Sequence, residues 1–179
     1  MNLKRHTVIS LFVGLQAGVI MIIDQLIHSG LPPVGNIGFS WLSFLGWATY
    51  FMAGCTAFDG LRAFLGFIKG IVASIIIIVL AGYLSFLGFF AVPISVAAIA
   101  WLLFYFEGAP QLFNFVPSFY VASGAFFGCM NYVPNATFGT IFLTEMIYLT
   151  LGLLFGWMTI TFRTWFDGNI QFGHEKNAD

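Results

Sequence analysis

The sequence predicts an all-α fold, a polytopic transmembrane bundle of six helices. Three observations carry that expectation. The chain of 179 residues is 60% hydrophobic and 7% charged, too apolar to clothe a water-soluble surface of this size. Its apolar runs approach the roughly 20 residues that a helix needs to cross hydrocarbon. Polar interludes stay short until residue 163, which leaves one transmembrane domain over 1–163 and a polar cytoplasmic tail over 164–179. Helices are the default because a spanning backbone must satisfy its own hydrogen bonds.

The first span covers about 7–28 and stops at Ser29-Gly30-Leu31-Pro32-Pro33. Lys4 and Arg5 precede it as they would in a secretory signal, but the apolar run is too long and lacks a small-residue cleavage pattern, so the span is retained. A short second span, about 39–55, closes at Phe58-Asp59-Gly60. The third covers about 61–84, with Gly82 and Gly88 bracketing its exit, because one helix from there to Phe106 would be about twice what a bilayer accepts. Pro93 suits the first turn of the fourth, about 92–106, where its missing N–H costs nothing. The fifth, again short, covers about 115–130 and turns over Asn131 to Asn135; the sixth covers about 137–162.

Basic residues sort the loops. Lys4 and Arg5 precede the first span, Arg62 follows the second, and Arg163 and Lys176 follow the sixth, whereas the loops after the first, third and fifth carry none. The positive-inside rule then places both termini in the cytoplasm. The second and fifth helices echo each other at an offset of 74 positions, Ala48-Thr49 and Gly54-Cys55 falling on Ala122-Ser123 and Gly128-Cys129. Repeats of three spans would lie inverted in the membrane, an architecture that builds pathways near the midplane. Cys55 and Cys129 then fall on opposite faces, too far apart for a disulfide.

Much chemistry is excluded. A net charge of −1 offers nothing to nucleic acid. Two cysteines and the scattered His6, His28 and His174 make no metal site. No glycine-rich phosphate loop, nucleophile or cofactor motif is present, so neither an enzyme nor a bound cofactor is expected.

Three charges inside apolar runs are the functional candidates, since ionisable groups in hydrocarbon mark pathways by default. Glu145 lies roughly 12 Å into the sixth span, with Tyr148 on the same face. Lys69 either snorkels to the nearer interface or pairs with Glu145. Asp24, one turn before His28, is a cap or an entry vestibule. Trp47 and Tyr50 share a face of the second helix with Ser40, Ser43 and Gly54; Phe44, Phe51 and Phe58 form a separate stripe. Glycine pairs four apart, Gly14 with Gly18, Gly66 with Gly70, Gly124 with Gly128 and Gly152 with Gly156, let backbones approach within the bundle or between protomers.

The chain resembles the YcdZ-like family of small bacterial inner-membrane proteins of unknown function. The resemblance rests on Trp41, Phe44, Tyr50, Phe51 and Ala53, on Gly60-Leu61-Arg62, on Val116-Pro117-Ser118-Phe119 with Ala122 and Phe126, and on the stretch Gly152 to Trp157. Asp59 departs from the glycine expected there. The resemblance implies a bacterial inner membrane and about six spans, and it supplies no site residues. Together these readings lead to a homo-oligomeric channel or transporter for a small polar or weakly charged solute, in contact with membrane lipids. The alternatives are a non-transporting scaffold or accessory subunit, and a lipid- or quinone-binding protein or intramembrane enzyme.

Overall fold

A computed structural model describes residues 3–175 apart from 34, 36 and 37. It is all-helical among these residues, with six α-helices: α1 (Leu3–Ile27), α2 (Ser40–Ala53), α3 (Ala57–Tyr83), α4 (Ala91–Phe104), α5 (Val116–Tyr132) and α6 (Phe138–Glu175). Short 3-10 segments follow α1, precede α4 and follow α4. By length and composition four stretches are apolar enough to cross a membrane: Arg5–Gly30, Ala57–Tyr83, Ser85–Gly108 and Phe138–Gly168. At 14 and 17 residues, α2 and α5 rise about 21 and 26 Å, short of a hydrocarbon core of about 30 Å. The exterior is dense in exposed Leu, Ile, Val, Phe and Trp, as a lipid-embedded surface requires.

Local chemistry sets the helix ends. Gly54, at φ 128°, ends α2, and a side chain there would strike the Asp59 carboxyl. Thr56 then caps α3 by accepting from the Asp59 N–H, while its hydroxyl donates to the Asp59 carboxylate. Gly88, at φ 54°, makes the break between α3 and α4. Thr137 and Thr140 exchange hydroxyl and backbone contacts at the start of α6. That helix does not stop near residue 162. It continues through the stretch expected as a polar tail as far as Glu175, because loss of apolar character marks the exit from lipid and not the end of a helix. Lys176 lies outside the described residues.

Two parallel helix pairs form the centre. Along α2 and α6, Gly46 abuts the Leu149 backbone, Gly152 abuts the Ser43 carbonyl and the Gly46 Cα, and Gly156 abuts the Tyr50 ring. Along α3 and α5, Gly66 abuts Ser118, Gly70 abuts the Phe119 backbone, and the Ser123 hydroxyl donates to the Gly70 carbonyl at 2.8 Å. Glycine removes the side chains that would hold these axes apart. Phe67, Phe119, Phe126, Tyr50 and Tyr148 fill the space between the pairs. Two of the four glycine pairs therefore pack the bundle. Gly14 with Gly18 on α1, and Gly124 with Gly128 on α5, meet nothing within 4 Å.

Helix α1 runs antiparallel along α6, joined by stacked Phe12 and Phe162 rings and by an Arg5–Asp167 ion pair. Helix α4 lies against α3 on the opposite side. One end of the bundle thus gathers Arg5, Arg62 and the Lys69 ammonium, and is called here the basic end. The other holds the loop from α1 to α2 and the start of α6.

Candidate functional site

At that other end, Asp24 is 6% exposed and Tyr148 fully buried. Asp24 Oδ1 accepts the Phe39 N–H at 3.1 Å and the Tyr148 hydroxyl. The Phe39 and Tyr148 rings meet edge to face with centroids 6.1 Å apart. One turn earlier on α6, the Thr144 hydroxyl donates to the Pro32 carbonyl. The α1–α2 connection is therefore fastened across α6 at two points.

Glu145 is fully buried, and neither carboxyl oxygen has a hydrogen-bond partner among the described residues. Its place on α6 puts Ile141 and Leu149 a turn away on either side, with Tyr148 three residues on. Cys129 of α5 lies within electrostatic reach of it. The same Cys129 lines a cavity of about 560 Å³ together with Phe39, Trp41, Gly128, Tyr132 and Pro134. This vestibule opens at the end away from the basic residues, and Glu145 is not among the residues that line it.

The structure thus joins Asp24 to Tyr148, with Glu145 one turn from Tyr148 on α6, and separates the other candidates from them. Lys69 does not pair with Glu145. Its ammonium reaches the Phe113 carbonyl at 3.0 Å and lies 4.4 to 5.0 Å from the Phe106, Phe113 and Phe119 ring centres. A flexible stem carries the charge to the basic end, where a carbonyl and three π faces receive it. Arg62 nearby pairs with Asp59 at 2.8 Å and donates to Asn114.

Trp47 is held within the fold. Its indole N–H donates to the Thr159 hydroxyl at 3.2 Å. That hydroxyl has two acceptors for its one proton, Gln16 Oε1 and the Phe155 carbonyl, each 2.8 Å from its oxygen, and Gln16 Nε2 also donates to the Phe155 carbonyl at 3.3 Å. Gln16 and Thr159 were not among the sequence candidates, although an amide in mid-span on α1 is the signal that marks this network. Tyr50 is buried with its hydroxyl unpartnered, and it lines an apolar groove with Gly60, Leu153 and Trp157 towards the basic end. Ser43 Oγ is likewise buried and unpartnered. Phe44, Phe51 and Phe58 point outwards, as lipid-facing rings.

Cys55 and Cys129 are both free thiols. Among the described residues no group of three or more His, Cys, Asp or Glu side chains is placed to hold a metal ion. The arrangement offers one buried acid without a hydrogen-bond partner, an aromatic vestibule, and a contact of Asp24 and Tyr148 with Phe39, which lines that vestibule.

No curated protein and no solved structure matches the chain. The family described as "Protein of unknown function (DUF1097)" matches residues 10–164, which take in every helix of the bundle in whole or in part, and this membrane protein belongs to that family.

Proposed function

We propose that the protein is a conduit for a small polar solute, with Glu145 as the carboxyl on its pathway. The observation that carries this reading is the carboxyl itself, fully buried and without a hydrogen-bond partner among the described residues. An uncompensated carboxyl in a low-dielectric interior costs about 1–3 kcal/mol or more. A group whose only role was structural would find its counterpart among its neighbours, as Asp24 does. The buried layer of Tyr50, Phe67, Phe126 and Leu153 supports an occluded carrier over an open pore.

The reading extends to six-span protomers in a bacterial inner membrane, termini inside, working as a homo-oligomer. Although α2 and α5 are short, they run between the same two ends as the longer helices. The two glycine-packed pairs exchange when the first three helices are interchanged with the last three, which supports the inverted repeat. The open Gly14–Gly18 and Gly124–Gly128 rows support contacts between copies. The positions behind the YcdZ-like resemblance all fall within the matched residues 10–164.

Flux through proteoliposomes tests the reading. Glu145→Gln should abolish solute flux or remove its dependence on pH, with Asp24, Tyr148 and Cys129 as the neighbouring titratable groups. Unchanged flux at every pH takes Glu145 out of the mechanism. The phenylalanine-filled interior favours the scaffold reading instead, and that alternative predicts a stoichiometric second protein on gentle purification and no flux.

A further inference from the structure

One face of α6 carries Ile147, Thr150, Leu154, Trp157, Thr161 and Thr164, and steps of three and four residues keep them in a single stripe. Across from it, α3 presents Ala57, Leu61, Phe64 and Ile68 at the same spacing. Three cavities of about 530, 460 and 440 Å³ lie along this seam. The first two share Phe64, Thr150 and Leu154, and the last two share Tyr50, Ala57 and Trp157, so together they make one groove. Leu154 and Trp157 are half exposed, which opens it sideways to lipid.

Its lining changes from one end to the other. From Phe142 to Leu154 the α6 wall is apolar apart from Thr150, whereas Cys55, Thr161, Thr164 and Trp165 line it at the basic end. Hydroxyls buried elsewhere in the bundle, on Thr49, Ser74, Ser95 and Thr159, donate to the carbonyl four residues back. Among the described residues, the hydroxyls of Thr150, Thr161 and Thr164 and the indole N–H groups of Trp157 and Trp165 have no such acceptor. Tyr50, whose buried hydroxyl also lacks a partner, lines the groove beside them.

These features select an occupant. No Lys, Arg, Asp or Glu lines the groove, so nothing there answers a phosphate. Hydroxyls and indole N–H groups suit a neutral head that accepts hydrogen bonds. The part between Phe142 and Trp157 rises about 22 Å along α6. A phospholipid chain keeps to its own leaflet, about half of a hydrocarbon core of about 30 Å, and would leave the far end empty. A long isoprenoid chain passes the midplane and fills it.

We propose that this groove holds an isoprenoid quinone, its tail between α3 and α6 and its carbonyl oxygens beside Thr161 and Thr164 at the basic end. The site lies on the lipid-facing side of the bundle and does not involve Glu145, so it stands or falls separately from the conduit reading.

The test is binding of long-tailed ubiquinone to the full chain in phospholipid nanodiscs, expressed per mole of lipid, beside short-tailed decylubiquinone and undecaprenyl phosphate. Saturable binding of ubiquinone is expected, about tenfold weaker for decylubiquinone because fewer tail atoms touch the groove. Leu154→Trp, which fills the groove where the first two cavities join, should weaken it about tenfold or more. Thr161→Val combined with Thr164→Val changes two exposed positions where folding is not at stake, and should weaken it about tenfold by removing two donors. Equal affinity for decylubiquinone overturns the long tail, and tighter binding of undecaprenyl phosphate overturns the neutral head. Ubiquinone binding no greater than in protein-free nanodiscs, or unaffected by these substitutions, removes the site.

Discussion

The Tyr148 hydroxyl on α6 donates to the carboxylate oxygen of Asp24 that also receives the Phe39 N–H. A single oxygen therefore holds the end of α1, the entry to α2 and the middle of α6. Hydrogen bonds to a charged acceptor are the stronger kind, and their loss at a buried site leaves donors without partners.

Asp24→Ala should destabilise the protein by about 3 kcal/mol and Tyr148→Phe by about 1–2 kcal/mol. Thermal unfolding in detergent measures both, and the double variant should fall short of the sum because the residues share one contact. Asp24→Asn, which keeps an acceptor oxygen, should lose less than Asp24→Ala. Full additivity would show that the contact is not formed in solution.

Glu145→Leu should stabilise the fold by about 1–3 kcal/mol, because it removes a buried acid that has no partner. Solute flux should disappear in the same variant. A gain in stability joined to a loss of function is the mark of a site kept at a structural cost. Destabilisation instead would mean that the carboxyl has a structural partner.

Gly152→Val should cost about 3 kcal/mol or more, because its side chain would drive into the Ser43 carbonyl and the Gly46 Cα. Gly14→Ala meets nothing and should leave unfolding unchanged or improve it by up to about 1 kcal/mol through helix propensity. Native mass spectrometry of Gly18→Ile adds a separate reading. A shift to smaller assemblies is expected if α1 joins copies, and an unchanged assembly would take α1 out of the contact.

Thr159→Val should cost about 2 kcal/mol by leaving the Trp47 indole N–H unsatisfied in an apolar setting. The double variant with Trp47→Phe should recover part of that loss. Equal losses in the single and double variants would show that the indole finds another acceptor.

The helices were legible because proline, glycine and asparagine punctuate apolar runs. Expected boundaries of 92–106 and 115–130 became Ala91–Phe104 and Val116–Tyr132. The end of α6 was not legible, since the residues after Phe162 remain compatible with a helix once they leave the lipid. The site was half legible. A charge in an apolar run exposes Asp24 and Glu145 as unusual, and helical spacing sets Tyr148 beside Glu145. Nothing local reveals that Tyr148 reaches Asp24 across 124 positions, or that the Lys69 stem turns away from Glu145 towards Phe113. Such choices depend on which helices become neighbours, and in this chain the tightest neighbours are far apart in sequence.

That separation bears on synthesis. The partner against which Gly46 closes, Gly152, is translated about a hundred residues later, roughly 5–20 s at usual elongation rates. For that interval α2, too short to cross comfortably by itself, must remain at the translocon or in the care of a chaperone. Nascent chains cut before α6 should therefore be prime targets for membrane proteases.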